Sequence, residues 1–224
     1  MLFLIYDTET SGLPKNMSCP TLEDRSTYPY IVQLSYILYD SSTNVIVKIF
    51  NQVIKIPHHV VMTPRSIELH NITHEIMSEK GIPVETALLE FLNDFELADL
   101  VVGHNIHFDI NMILIEMLRQ SHIFDNEWFQ LFKNSNKFYC TMKNSIDLCA
   151  IKVPYKNNST KTYNKFPKLN ELYNCLFQKN PNPANLHNAL NDVIICLVCF
   201  CKMYLSIQVV EINPEINQLL NNII

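Results

Sequence analysis

Three strand-type segments occupy the first quarter of this chain, ahead of any segment with helical periodicity. The apolar runs at residues 2–8, 31–39 and 45–56 have the length and the β-branched and aromatic content typical of strands. The turn-forming residues 40–44 join the second run to the third, which predicts an antiparallel meander. The rest of the chain therefore has to extend and cover a sheet that begins with three neighbouring strands.

Helical and strand patterns alternate after this meander. Apolar spacing predicts five helical segments, at residues 83–97, 108–119, 141–150, 168–176 and 189–207. A short apolar run at residues 100–103 fits a central strand. This order predicts one α/β domain at residues 1–207, with a mixed sheet of three antiparallel strands followed by parallel strands and with helices on its flanks. Residues 208–224 are assigned to a short C-terminal extension.

Asp7 and Glu9 end the first predicted strand. Side chains alternate along a strand, so the two carboxylates share one face at the carboxyl end, where α/β folds often place their sites. Like charges side by side are unfavourable unless a cation lies between them, and carboxylate oxygens suit Mg²⁺ or Mn²⁺. The Asp-x-Glu pattern alone is weak, because chance produces about one in a chain of this length. A solvated strand end is the alternative interpretation.

Two later segments give this pair a context. VVGHNIHFD (residues 101–109) is a short strand, a glycine and a helix start that carries Asp109, and LHNALND (residues 186–192) opens the last predicted helix. Together with DTETSGLP (residues 7–14), these segments resemble, in order and spacing, the three exonuclease motifs of the DEDD family, which includes DnaQ-like enzymes. The resemblance covers about residues 3–203.

A histidine five residues before the last aspartate is the mark of the DEDDh branch, and His187 precedes Asp192 by that distance. Five residues at 100° each would put the two side chains on different faces of a regular helix. We therefore expect His187 on the loop or first turn before the helix. An exposed imidazole there suits a general base near neutral pH, while a capping or surface histidine is the alternative.

The resemblance implies a ribonuclease H-like fold and a 3′→5′ exonuclease that hydrolyses DNA, RNA or both to nucleoside 5′-monophosphates. It implies that two divalent cations, Mg²⁺ or Mn²⁺, are held by four carboxylates and that His187 is the general base; the carboxylates are those of Asp7, Glu9, Asp109 and Asp192. Residues at family positions that line the terminal nucleotide are Thr10, Gly12, Leu13, Asn105 and Phe108. Core packing is the alternative role for Leu13 and Phe108.

The expected partner is the 3′ end of a nucleic acid, single-stranded at the site. The net charge of −5 argues against coating of duplex DNA but not against contact with a few nucleotides. Two other functions stay open: a proofreading subunit active only with a polymerase, and a non-catalytic nucleic-acid-binding module. The preference for DNA or RNA and the oligomeric state, a homodimer included, are also open.

Residues 152–168 form a predicted loop with five lysines and no acidic residue, interleaved with Tyr155, Tyr163 and Phe166. Lysines contact phosphates and aromatic rings stack on bases, so one hypothesis is that this loop guides a single strand; a solvated loop is the alternative.

Seven cysteines without a secretory segment predict reduced thiols and an intracellular, reducing compartment such as cytoplasm or nucleus. Cys196, Cys199 and Cys201 are interpreted as core residues of the last helix rather than metal ligands. No apolar run approaches the ~18 residues of a membrane span, so no membrane association is expected.

Overall fold

The computed structural model describes residues 1–156 and 158–224. Its strands are β1 (Leu2–Thr10), β2 (Ile31–Asp40), β3 (Val45–Val53), β4 (Leu100–Gly103), β5 (Phe138–Cys140), β6 (Lys152–Tyr155) and β7 (Asn158–Asn164). Five of them form one sheet in the order β3-β2-β1-β4-β5. β1 and β3 both pair antiparallel with β2, whereas β4 runs parallel to β1 and β5 parallel to β4. The predicted mixed sheet is confirmed.

Helices cover this sheet and connect its strands. They are α1 (Pro64–His70), α2 (His74–Lys80), α3 (Val84–Leu97), α4 (Ile106–Arg119), α5 (Asn126–Lys133), α6 (Thr141–Asn144), α7 (Ile146–Cys149), α8 (Leu169–Phe177), α9 (Ala189–Phe200), α10 (Val209–Ile212) and α11 (Pro214–Asn221). The predicted helix at 189–207 is α9 followed by a π-helical turn at Cys201–Leu205. Helices α1 and α2 were not predicted: each has only seven residues, and each begins at a threonine that caps its first turn.

Alternation along β1 divides the interior into two cores. Leu4 and Tyr6 pack with α3, α4 and α5 on one face of the sheet. Phe3 and Ile5 pack with α8, α9 and α11 on the other. The odd-numbered side chains of β1 therefore face α9, and this continues to the end of the strand.

The C-terminal residues contribute to the second core. Ile216, Leu220 and Ile223 are buried in the same cluster as α9, and the Asn213 side-chain amide donates to the Asn44 carbonyl at 2.6 Å. The residues 208–224 thus pack on the domain, and the boundary at residue 207 stays a prediction.

The prediction of a loop at residues 152–168 is wrong for most of that segment. β6 and β7 pair antiparallel there as a separate two-stranded sheet. Valine, tyrosine and threonine alternate with lysine and asparagine in this segment, and that strand pattern is masked by the high polarity of both faces. Asn157 lies outside the described residues.

Cys196, Cys199 and Cys201 are buried in the core as free thiols, as predicted. Across the part of the chain that the structure describes, no helix combines the length and the hydropathy needed to cross a bilayer.

Candidate active site

Asp7 and Glu9 lie on the α9 face of the sheet because they keep the odd register of Phe3 and Ile5. Asp192, in the first turn of α9, meets them there. One carboxylate oxygen from each of the three residues lies within 4.8 Å of the other two. The structure therefore brings together three of the four carboxylates that the sequence singles out, in an arrangement that could hold a cation.

Three hydrogen bonds fix where α9 begins. The Asn188 side chain accepts from the backbone N–H groups of Leu190 and Asn191, which caps the helix. The Gln33 side-chain oxygen accepts from the Ala189 backbone N–H at 3.2 Å and ties the helix start to β2. These contacts place Asp192 at the end of β1 rather than elsewhere along the sheet.

Asp109 borders this cluster from the first turn of α4. Its carboxylate is buried, and its Oδ1 accepts from the Thr8 backbone N–H at 3.1 Å and from the Thr8 hydroxyl at 2.7 Å. Among the charges that raise the pKa of Asp7, that of Asp109 has the largest effect. Asp109 is thus held beside the three-carboxylate group with one oxygen already hydrogen-bonded.

Burial raises the pKa of every carboxyl group in this cluster, and repulsion between charges adds to the rise for Asp7, Glu9 and Asp109. The pKa of Asp7 is raised well above its ordinary value, first by burial and then by Asp109, Asp192 and Glu9. Burial and the charge of Asp192 raise the pKa of Glu9 to about 8. Burial likewise raises the pKa of Asp109 and of Asp192 to about 7. Oxygen donors crowded in this way are a good fit for divalent cations, which would remove the repulsion.

His187 lies on the loop before α9, as predicted, in the left-handed backbone conformation with φ 62°. Its side chain is exposed, and its backbone N–H hydrogen-bonds to the Asp192 carboxylate. Partial desolvation and the positive charges of Arg65 and Lys168 lower the pKa of the imidazole. A non-glycine residue in this conformation is uncommon and costs of the order of 1–3 kcal/mol, so the loop imposes it.

The residues after β1 line a cavity of about 450 Å³ that includes Gly12, Leu13, Tyr28 and Thr63. The Thr10 hydroxyl donates to the Gly12 carbonyl at 2.7 Å, which fixes the turn out of the strand. The Leu13 side chain is 82% exposed, so the core-packing interpretation of this residue is wrong.

The second motif places its two remaining candidates differently. Asn105 is exposed and left-handed, with φ 67°, at the start of α4. Phe108 is partly buried and packs against the first core. Roles for these residues at a terminal nucleotide stay predictions.

Arg119 fastens the loop between β1 and β2 to the domain, a role that the motifs do not reveal. Its guanidinium donates to the carbonyl oxygens of Arg25, Tyr28 and Pro29 at 2.9, 2.6 and 3.0 Å. It also pairs with the buried Glu116 at 2.7 Å and lies 3.6 Å from the centre of the Tyr30 ring. Residues 26–30 form one wall of the cavity, so Arg119 holds that wall in place without lining the cavity itself.

Thr8 and Gln33 were also missed as supporting residues, although the sequence held a signal for them. Gln33 interrupts an apolar strand, and a polar side chain buried in such a strand is expected to have a hydrogen-bond partner. Thr8 lies between two acidic residues and points to the opposite face, towards α4. The partner of Gln33 is Ala189, 156 residues away along the chain, and the partner of Thr8 is Asp109, 101 residues away.

The raised carboxyl pKa values predict that stability without metal falls as the pH rises. Between the ordinary values near 4 and the folded values of about 7–8, the folded state binds more protons than the unfolded state, so its stability declines across that range. Mg²⁺ opposes this loss by binding the deprotonated form. We expect Mg²⁺ to raise the Tm by at least ~5 °C more at pH 8 than at pH 5.5, measured by scanning calorimetry. An equal rise at both values would contradict the prediction.

Residues 4–200 match the sequence profile of the RNase T exonuclease family. None of the curated proteins matches the chain significantly.

Several solved structures share the fold. E. coli exonuclease I in complex with a dA16 oligonucleotide has a TM-score of 0.61 at 16% identity, covering 99% of this chain and 42% of that one. Exonuclease I from Methylocaldum szegediense has a TM-score of 0.63 at 18% identity, covering 95% of this chain and 43% of that one. The chain therefore spans less than half the length of these two matched chains.

Proposed function

The chain belongs to the RNase T exonuclease family, with a DnaQ-like, ribonuclease H-like fold, and from that premise we propose that it is a metal-dependent 3′→5′ exonuclease. The observation that carries the proposal is the convergence of Asp7, Glu9 and Asp192 within 4.8 Å, with Asp109 beside them. Solved structures of this fold include exonuclease I bound to single-stranded oligonucleotides, which supports a single-stranded substrate here.

Asp7, Glu9 and Asp192, with the free oxygen of Asp109, would hold the cations, Mg²⁺ or Mn²⁺. When bound, two such ions supply charge stabilisation at the scissile phosphate and lower the pKa of a water molecule. Thr8 keeps Asp109 in place, and the cap at Asn188 keeps Asp192 in place. The chain's own contribution is thus a rigid set of oxygens at the end of one strand and the first turns of two helices.

His187 would remove the proton of the attacking water. Its exposed ring can turn towards a bound substrate, and its lowered pKa keeps the imidazole neutral near pH 7. The exposed Leu13, four residues after Glu9 in the chain, is available to pack against the terminal base. The reaction would release nucleoside 5′-monophosphates, without a covalent intermediate on the protein.

We expect the purified chain to shorten single-stranded oligonucleotides stepwise from the 3′ end. The experiment incubates 5′-labelled and 3′-labelled DNA and RNA 20-mers with Mg²⁺, Mn²⁺ or EDTA and resolves the products on a sequencing gel. With the 5′ label a ladder should appear, with the 3′ label only mononucleotide, and EDTA should stop both. Shortening from the 5′ end would refute the proposed polarity. Activity that needs an added polymerase would favour a proofreading subunit, and binding without cleavage would favour a non-catalytic module.

A further inference from the structure

The hairpin of β6 and β7, here called the basic hairpin (residues 152–156 and 158–164), forms a two-stranded sheet separate from the main sheet. Among its side chains that the structure describes between residues 152 and 163, only that of Val153 is not exposed. A separate two-stranded sheet buries little apolar surface and contributes little to the stability of a domain. The exposed lysine and tyrosine side chains of the basic hairpin are therefore accessible to a ligand.

Two tyrosines form an exposed platform on one face of the basic hairpin. The rings of Tyr155 and Tyr163 lie 4.8 Å apart, and the two residues are 50% and 43% exposed. Lys161 is two residues before Tyr163 in the same strand, so it shares this face. Aromatic rings next to a cation are the combination with which proteins bind the bases and phosphates of single strands.

The charge of the basic hairpin is opposite to that of the whole protein. Lys152, Lys156 and Lys161 are exposed, and none of them takes part in an ion pair among the described residues. Lys165, by contrast, is paired with Glu171 at 2.5 Å and is not available. In a chain of net charge −5, three unpaired lysines in one hairpin are complementary to a polyanion.

The segment after the basic hairpin is fastened at the carboxyl end of β4, the strand that lies parallel to β1. His104, the residue after β4, has its Nε2 3.0 Å from the Pro167 carbonyl and its Nδ1 3.0 Å from the Thr141 hydroxyl, which fastens the segment after β7 to the sheet. The Thr141 hydroxyl in turn lies 3.7 Å from the Cys196 sulfur, one helical turn after Asp192 in α9. Pro167 is four positions from Tyr163 along the chain, a span of at most about 14 Å, or roughly four nucleotides of a stacked strand.

We propose that the basic hairpin binds single-stranded nucleic acid upstream of the terminal nucleotide, with Tyr155 and Tyr163 stacking on bases and Lys152, Lys156 and Lys161 contacting phosphates. This inference rests on the proposed function, since it assigns the direction in which the strand leaves the carboxylates. It makes the hairpin a second contact that holds the strand while its 3′ end is trimmed.

The test measures binding of a fluorescein-labelled dT20 in EDTA by fluorescence anisotropy at several salt concentrations, so that no cleavage is needed. Replacing Lys152, Lys156 and Lys161 together with Gln should weaken binding about tenfold or more at low salt and reduce the salt slope by about 2. The double variant Tyr155→Ser/Tyr163→Ser should weaken binding about 5- to 150-fold per stacked base with an unchanged salt slope.

A control variant, Lys55→Gln/Lys80→Gln/Lys133→Gln, removes the same charge from exposed lysines outside the basic hairpin. If it weakens binding as much as the hairpin triple variant does, or if neither hairpin variant changes binding, the proposal is overturned. An equal loss for duplex DNA in the tyrosine variant would overturn the stacking role. Failure of the unaltered protein to cleave in Mg²⁺ or Mn²⁺ would refute the exonuclease proposal instead, and the binding data would still decide the role of the hairpin.

Discussion

Replacing Asp7 with Asn should reduce nuclease activity at least about a thousandfold and, in EDTA at pH 8, make the protein more stable. Asp7 lies at the centre of the carboxylates, and its pKa is raised by the charges of Asp109, Asp192 and Glu9. Neutralising it removes a cation ligand, which costs several kcal/mol of transition-state stabilisation, and also removes repulsion from the metal-free protein. The measurements are the rate of oligonucleotide shortening and the Tm without metal.

The sign of the stability change separates an active site from an ordinary core position. Most substitutions of buried residues destabilise a protein, whereas we expect Asp7→Asn to raise the Tm by ~3–6 °C in EDTA and to abolish the rise on adding Mg²⁺. The control is Glu79→Gln, which removes one negative charge from the exposed surface of α2. The prediction fails if Asp7→Asn keeps a tenth of the activity, or if its metal-free Tm is not raised relative to the control.

Replacing His187 should lower kcat by about 10²- to 10⁴-fold while leaving substrate KM and the Mg²⁺-dependent rise in Tm nearly unchanged. The loss is that of a general base, and the side chain of His187 lies outside the carboxylate group. Because the pKa of His187 is lowered from its ordinary value in the free protein, the rising limb of kcat/KM that it sets should lie below about pH 6.5. That limb should disappear in the variant.

Two substitutions are needed here, because His187 has a left-handed backbone. Alanine is disfavoured in that conformation, whereas asparagine tolerates it and cannot act as a base. We expect His187→Asn and His187→Ala to lose kcat equally if the imidazole is responsible. Recovery in the asparagine variant would show that the loop conformation matters instead, and His122→Ala, at an exposed position, serves as the control.

The antiparallel meander, the strand at 100–103 and the longest helices were predictable from local pattern, whereas β5 and its pairing with β4 were not. Long elements of this kind bury many apolar side chains in the core. Their sequences therefore contain recognisable apolar runs or repeats, as in the three opening strands, the helix at 84–97 and the long C-terminal helix. The short capped helices and the polar basic hairpin were missed. Few of their residues are buried in the core, so their sequences show no periodic apolar pattern.

The candidate site was also predictable only in part. The types and spacing of its carboxylates and of His187 were recognisable, because metal chemistry restricts which residues can serve and a strand restricts how Asp7 and Glu9 point. The common face of Asp7 and Glu9 and the loop position of His187 followed from strand and helix geometry and are confirmed. Both depend on neighbours along the chain.

Only the tertiary structure decided how these residues are held and how strongly they repel each other. The hydrogen bonds from Thr8 to Asp109 and from Ala189 to Gln33, and the clamp of Arg119 on residues 25–30, join parts of the chain that no local pattern connects. The raised pKa values of Asp7 and Glu9 arise from burial and from charges brought near by folding. Such energies depend on distances through space, which a sequence contains only through the fold it forms.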